Sequence, residues 1–130
     1  MTTLTEPTYA RIWEDGGATM MARVTNDSAG NVVRSDVTSI AYNVFDLSST
    51  TPGTAVSSDS LTVASVVYNS LQTGGLWSKD STGYNFKDTR PASIFSEPNH
   101  RYQIEYIFNP ASGEDFPVVF QVLTRPIWSS

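Results

Sequence analysis

Cysteine is absent from the 130 residues. That excludes disulfides, thiol catalysis and thiolate metal sites, and leaves the redox compartment undetermined. Charge is also sparse: 16% of the residues are charged, against about 25% in an average globular domain. Basic residues are the scarcer kind, with eight Lys and Arg against thirteen acids, a net charge of -5 and a pI near 4.6. Nucleic-acid binding needs a dense set of cations to displace counterions, so no nucleic-acid partner is expected. No apolar run approaches the ~20 residues needed to span a bilayer as a helix, so no membrane partner is expected either. The opening Met1-Thr2-Thr3-Leu4-Thr5-Glu6-Pro7 has neither a basic n-region nor an apolar h-region, which predicts synthesis in a cytoplasm without a signal peptide.

Catalytic and ligand motifs are missing too. The single histidine, His100, lies in the polar run Glu97-Pro98-Asn99-His100-Arg101 and is expected to be a solvated loop residue. No Gly-x-Ser-x-Gly elbow accompanies it. One His without Cys makes a zinc site implausible. The acids Glu14, Asp15, Asp27, Asp80, Glu114 and Asp115 sit beside Gly or Ser in turn-forming runs, and counting back from Gly30 fails the alternating-oxygen calcium pattern. Gly16-Gly17 and Gly74-Gly75 are isolated pairs without the phosphate-loop lysine. The expectation is a protein that is not an enzyme, with no catalytic residue, cofactor or metal.

What is present is aromatic and alternating. Aromatics make up 12% of the chain, which argues against disorder. Tyr102, Ile104, Tyr106 and Phe108 alternate with Gln103, Glu105, Ile107 and Asn109, the two-residue period that sends one set to a core. After the turn-rich run from Pro110 to Asp115, Val118, Phe120 and Val122 alternate with Val119, Gln121 and Leu123, completing an antiparallel hairpin. Further strands are predicted over residues 83–87, over 61–67 with both faces covered, from Ile40 to near Leu47, over 20–25, and over 8–13 as an N-terminal edge. Residues 89–95 suit a short helical turn, and 48–54 form a loop. About seven strands at regular spacing, with no internal repeat, predict a single all-β domain over residues 1–130, an antiparallel sandwich of immunoglobulin type.

In that topology a short turn precedes strand F, and a Tyr near the strand's start bonds its hydroxyl back to the corner. Tyr102 follows residues 91–95 in this position. It either makes that bond or is an ordinary core aromatic reaching water. Ile104 stands where immunoglobulin domains carry a Cys, so hydrophobic packing replaces the bridge.

Large rings near strand ends form the remaining class. Tyr9, Trp13, Trp77, Arg125, Ile127 and Trp128 are the candidate interface, because Trp, Tyr and Arg are enriched at binding hot spots. Trp77 either caps the sandwich or binds a partner. Residues 1–13 read as an arm or edge strand and 125–130 as a tail.

Three stretches carry a resemblance: Val24-Thr25-Asn26-Asp27-Ser28-Ala29-Gly30-Asn31 leading to residues 40–46, Asp80-Ser81-Thr82-Gly83-Tyr84-Asn85-Phe86, and Tyr102-Gln103-Ile104-Glu105-Tyr106 running to Ser112-Gly113. Over residues 17–124 the chain resembles the immunoglobulin-like β-sandwich modules of tailed-bacteriophage virion proteins, in the style of the baseplate upper protein N-terminal domain. The resemblance implies a non-enzymatic virion component that binds other virion proteins of capsid, neck or tail and forms a homo-oligomer. A copy without long flanking domains fits capsid decoration, neck or tail better than baseplate. The alternative expectation is a carbohydrate-binding or adhesin module stacking sugars on Trp77, Tyr84 or Trp13.

Overall fold

The computed structural model describes residues 8–13, 18–25, 30–73, 82–95 and 97–125, with the backbone alone for 8–13. These residues form eight strands: β1 (Thr8–Trp13), β2 (Ala18–Ala22), β3 (Val37–Asp46), β4 (Ala55–Leu61), β5 (Val67–Gln72), β6 (Tyr84–Arg90), β7 (Arg101–Pro110) and β8 (Phe116–Arg125). One sheet has the order β1-β8-β7-β3-β4 and the other β2-β6-β5. Every pairing is antiparallel except β1 with β8, which is parallel. The chain is an all-β sandwich of immunoglobulin type. Strands β3, β7 and β8 correspond to C, F and G, strands β2, β6 and β5 to B, E and D, and β4 extends the first sheet as C′.

The alternation read in the sequence builds the core. Ile40, Tyr42 and Val44 of β3, Tyr102, Ile104, Tyr106 and Phe108 of β7, and Val118, Phe120 and Val122 of β8 are all buried on the inner face. Phe86 of the facing sheet is the hub. Its ring centroid lies 4.8 Å from Tyr106, edge-on, and 5.4 Å from Phe108, tilted. Aromatic pairs so arranged add about 0.5–1.5 kcal/mol beyond their area burial.

Tyr102 makes the corner bond: its hydroxyl accepts the Glu97 backbone N–H at 3.1 Å, and its ring meets Phe95 edge-on at 5.3 Å. The short helical turn before it is present as a 3₁₀ turn at Ala92–Ile94.

Two expectations fail here. Residues 61–67 are not one strand. Strand β4 ends at Leu61, a one-turn helix α1 (Val63–Val66) follows, and β5 starts at Val67. The helix carries the chain from one sheet to the other, closed by the Ser65 N–H donating to the Thr62 carbonyl. Val63 and Val66 pack against the core while Ala64 and Ser65 are exposed, and so short an apolar run suits one helical turn as well as a strand, which is why periodicity could not separate them. The second miss is β4 itself, an edge strand of sequence Ala-Val-Ser-Ser-Asp-Ser-Leu whose residues are exposed or half-buried. A strand with no core face carries no alternation to read.

Candidate functional site

The candidate interface residues fall into two groups. Trp77, Ile127 and Trp128 lie outside the described residues. Tyr9, Trp13 and Arg125 come together at one sheet edge: β1 lies along β8 with Tyr9 opposite Gln121 and Trp13 opposite Arg125. These are the β8 positions that alternate with its buried residues Phe120, Val122 and Thr124. The sequence separates Trp13 from Arg125 by nearly the whole chain, and only the parallel pairing makes them neighbours. A parallel pair needs a crossover connection, and here the rest of the domain supplies it.

On β7 and β8 the outward positions join in a polar ladder. The Gln121 amide donates to Gln103 Oε1 at 2.9 Å, and the Gln103 amide donates to Glu105 Oε2 at 2.7 Å. Half-buried Ile107, Val119 and Leu123 flank it.

At the end of this sheet sits His100, and the structure corrects its expected role. The ring is not simply solvated: Nδ1 lies 2.6 Å from Oδ2 of Asp46, with side chains 28% and 7% exposed. Asp46 also accepts the Ser48 N–H through Oδ1 at 3.0 Å. Thr124 of β8 accepts the His100 N–H at 3.1 Å and donates to the Glu97 carbonyl. The pair therefore ties the end of β3 to the β7 start and the β8 end. Among the described residues no serine hydroxyl is hydrogen-bonded to the His100 ring. Ser48 Oγ instead accepts the Arg101 N–H at 2.9 Å, and Ser49 Oγ donates to the Asp46 carbonyl at 2.9 Å. The geometry is that of a corner clamp.

A second polar group, unforeseen in the sequence, joins the two sheets. Asp88 and Arg90 share with Phe86 the inward parity of β6. Tyr106 donates its hydroxyl to Asp88 Oδ2 at 2.7 Å. The Arg90 Nη2 donates to Asp88 Oδ1 at 2.9 Å, and its Nε approaches Oδ2 at 2.7 Å as an ion-pair contact. The guanidinium stands 4.5 Å from the centre of the Tyr42 ring, a cation–π contact. Burial, reinforced by the Asp88 carboxylate, pushes the Tyr106 phenol far above its ordinary value. For Arg90, burial alone would lower the guanidinium pKa, but Asp88 and Tyr42 more than reverse this, and the net direction is upward. Each charge has a partner, as an interior requires. The signal was available, because the core parity of Phe86 continues through both charged residues.

Asn85 holds the other end of β6. Its Oδ1 accepts the Val24 N–H at 2.7 Å, and its Nδ2 donates to the carbonyls of Val24 and Val32 at 2.9 and 2.8 Å. This buried side chain ties β6 to the backbone on both sides of the Thr25–Asn31 bridge. No group of three or more His, Cys, Asp or Glu that could hold a metal occurs among the described residues.

Comparison with protein-family models, with curated proteins and with solved structures finds no match to this chain.

Proposed function

We propose that this protein is a non-enzymatic structural component of a tailed-phage virion, a capsid decoration or a neck or tail subunit, that binds its neighbours through the β1–β8 edge. The observation that carries the reading is the meeting of the Tyr9 and Trp13 positions with exposed Arg125 at what is, among the described residues, a sheet edge. An edge strand offers a ready row of backbone donors and acceptors for a partner strand, and residues of these types concentrate binding energy. The polar groups found at depth, His100 with Asp46 and Asp88 with Arg90 and Tyr106, serve here to stiffen the sandwich as a spacer. Resemblance in the turn and core stretches supplies the virion context.

The carbohydrate-binding alternative loses one of its platforms. Tyr84 is buried and packed edge-on against Tyr68 at a ring distance of 5.7 Å, so its face is not free to stack on a sugar.

Particle reconstitution tests the proposal. Deleting residues 1–13 together with 125–130, or substituting Arg125→Glu alone, is expected to reduce incorporation into particles while leaving a β-type circular-dichroism spectrum. Unchanged incorporation of both variants would overturn it.

A further inference from the structure

Strand β4 closes the five-stranded sheet on the side away from β1 and, among the described residues, pairs with β3 alone. An edge strand offers its backbone groups to any second strand, and proteins blunt such edges with Lys, Pro or a charge at a core-facing position. Neither Lys nor Pro occurs in β4. Its residues Ser57, Asp59 and Leu61 lie opposite Val44, Tyr42 and Ile40, all buried, so they hold the core-facing side. The Tyr42 hydroxyl lies 3.4 Å from Ser57 Oγ on that side. Asp59 thus puts a carboxylate at a core-facing position and is nevertheless exposed. It has no cationic partner among the described residues. Its Oδ1 instead accepts the N–H of the next residue, Ser60, at 2.8 Å. Nothing within the domain uses the charge.

We propose that Asp59 is a gate that keeps β4 from pairing with the β4 of a second copy of this chain. Without its charge the two strands join antiparallel about a two-fold axis, and the two sheets become one. The occupant follows from symmetry and charge. β4 has seven residues, so full overlap puts Ser58 on the axis, with Ala55 opposite the partner's Leu61 and Asp59 opposite the partner's Ser57. The two Asp59 carboxylates then stand diagonally on one face, about 7–8 Å apart, within about one screening length at physiological salt. Pairing with a second copy is therefore the contact that sets this charge against itself. A two-fold contact of this kind closes, since each β4 covers the other. The inference rests on β4 and does not depend on the virion assignment or on the β1–β8 edge.

Analytical ultracentrifugation of full-length chains at neutral pH tests it. Asp59→Asn and Asp59→Ser are expected to dimerise at concentrations about tenfold below those the native chain requires, the effect of two like charges at this separation near a protein surface. Asp59→Lys, which restores like charge at the site, is expected to behave as the native chain does. Position 58 identifies the contact. Adding Ser58→Lys to Asp59→Ser sets two cations directly across the axis and is expected to return the monomer. Asp115→Ser, at an exposed acid in the β7–β8 turn, removes the same net charge and is expected to change nothing. Folded Asp59→Asn and Asp59→Ser chains that associate no more than the native one overturn the proposal. So do dimers that survive Ser58→Lys, or equal association of Asp115→Ser, which would make net charge the cause.

Discussion

Gly83 shows how much one residue can decide. It enters β6 at φ +107, a region L-residues rarely adopt, and a Cβ there would stand 2.3 Å from the Gln72 backbone carbonyl oxygen. The collision falls on backbone that cannot move without shifting β5. Gly113, in the β7–β8 turn, has a similar φ of +99 but nothing within 4 Å of an added Cβ. The two glycines thus separate conformational strain from collision. Gly113→Ala is expected to cost about 1–2 kcal/mol, the strain of a left-handed L-residue. Gly83→Ala is expected to cost distinctly more than Gly113→Ala in urea denaturation. Equal losses would show that the Gln72 contact relaxes freely.

At the scale of elements, β6 does the most to unite the sandwich, and its inward row explains what the sequence showed and what it hid. Phe86 enters the core beside Tyr106, and two residues on, Asp88 receives the Tyr106 hydroxyl. Hydrophobic alternation made the middles of β3, β7 and β8 legible, because their inner positions are apolar there and turn polar only at Asp46 and Thr124 near the strand ends. The same rule passed over Asp88 and Arg90, since a charged residue at a core position reads as a strand end unless its partners on other elements are known. It passed over β4 because that strand buries no side chain; it took α1 for strand and missed β5 beyond Val67, because β5 buries that residue alone and shows no alternation over 68–72. Of the candidate interface, the residue types were readable. Their assembly was not, since the β1–β8 pairing is long-range and parallel.

The Asp88–Tyr106 bond between elements has a pH signature. Burial and the neighbouring carboxylate raise the Tyr106 pKa in the folded state, whereas in the unfolded chain the phenol ionises near its ordinary value of about 10. A raised folded value contributes stability that is complete below pH about 10 and is lost as the pH rises further. The unfolding free energy of the native protein, relative to Tyr106→Phe, is therefore expected to fall by about 1.4 kcal/mol per pH unit above that point. Urea titrations of both proteins between neutral and strongly alkaline pH measure the difference. A constant difference across that range would mean that the phenol ionises in the folded protein as readily as in the unfolded chain.

For the whole molecule, the topology orders the events of folding. Pairings β3–β4, β5–β6 and β7–β8 join consecutive strands, while β3–β7 and β2–β6 close longer loops, and β1–β8 joins strands from opposite ends of the chain. Loop closure costs more as the loop lengthens, and non-local pairing slows folding toward milliseconds to seconds. The Phe86, Tyr106 and Phe108 cluster gathers both sheets through contacts that need only β3, β6 and β7. The topology predicts that it forms the nucleus and that the edge strand β1 docks after it. A substitution in the nucleus should therefore slow folding, and one in β1 should speed unfolding alone. Phe86→Leu is expected to give a φ-value of about 0.5–0.8 in stopped-flow chevrons, and Ala10→Gly, a loss of about 1 kcal/mol in a strand interior, a value near zero. A high value at Ala10 would place β1 in the rate-limiting step.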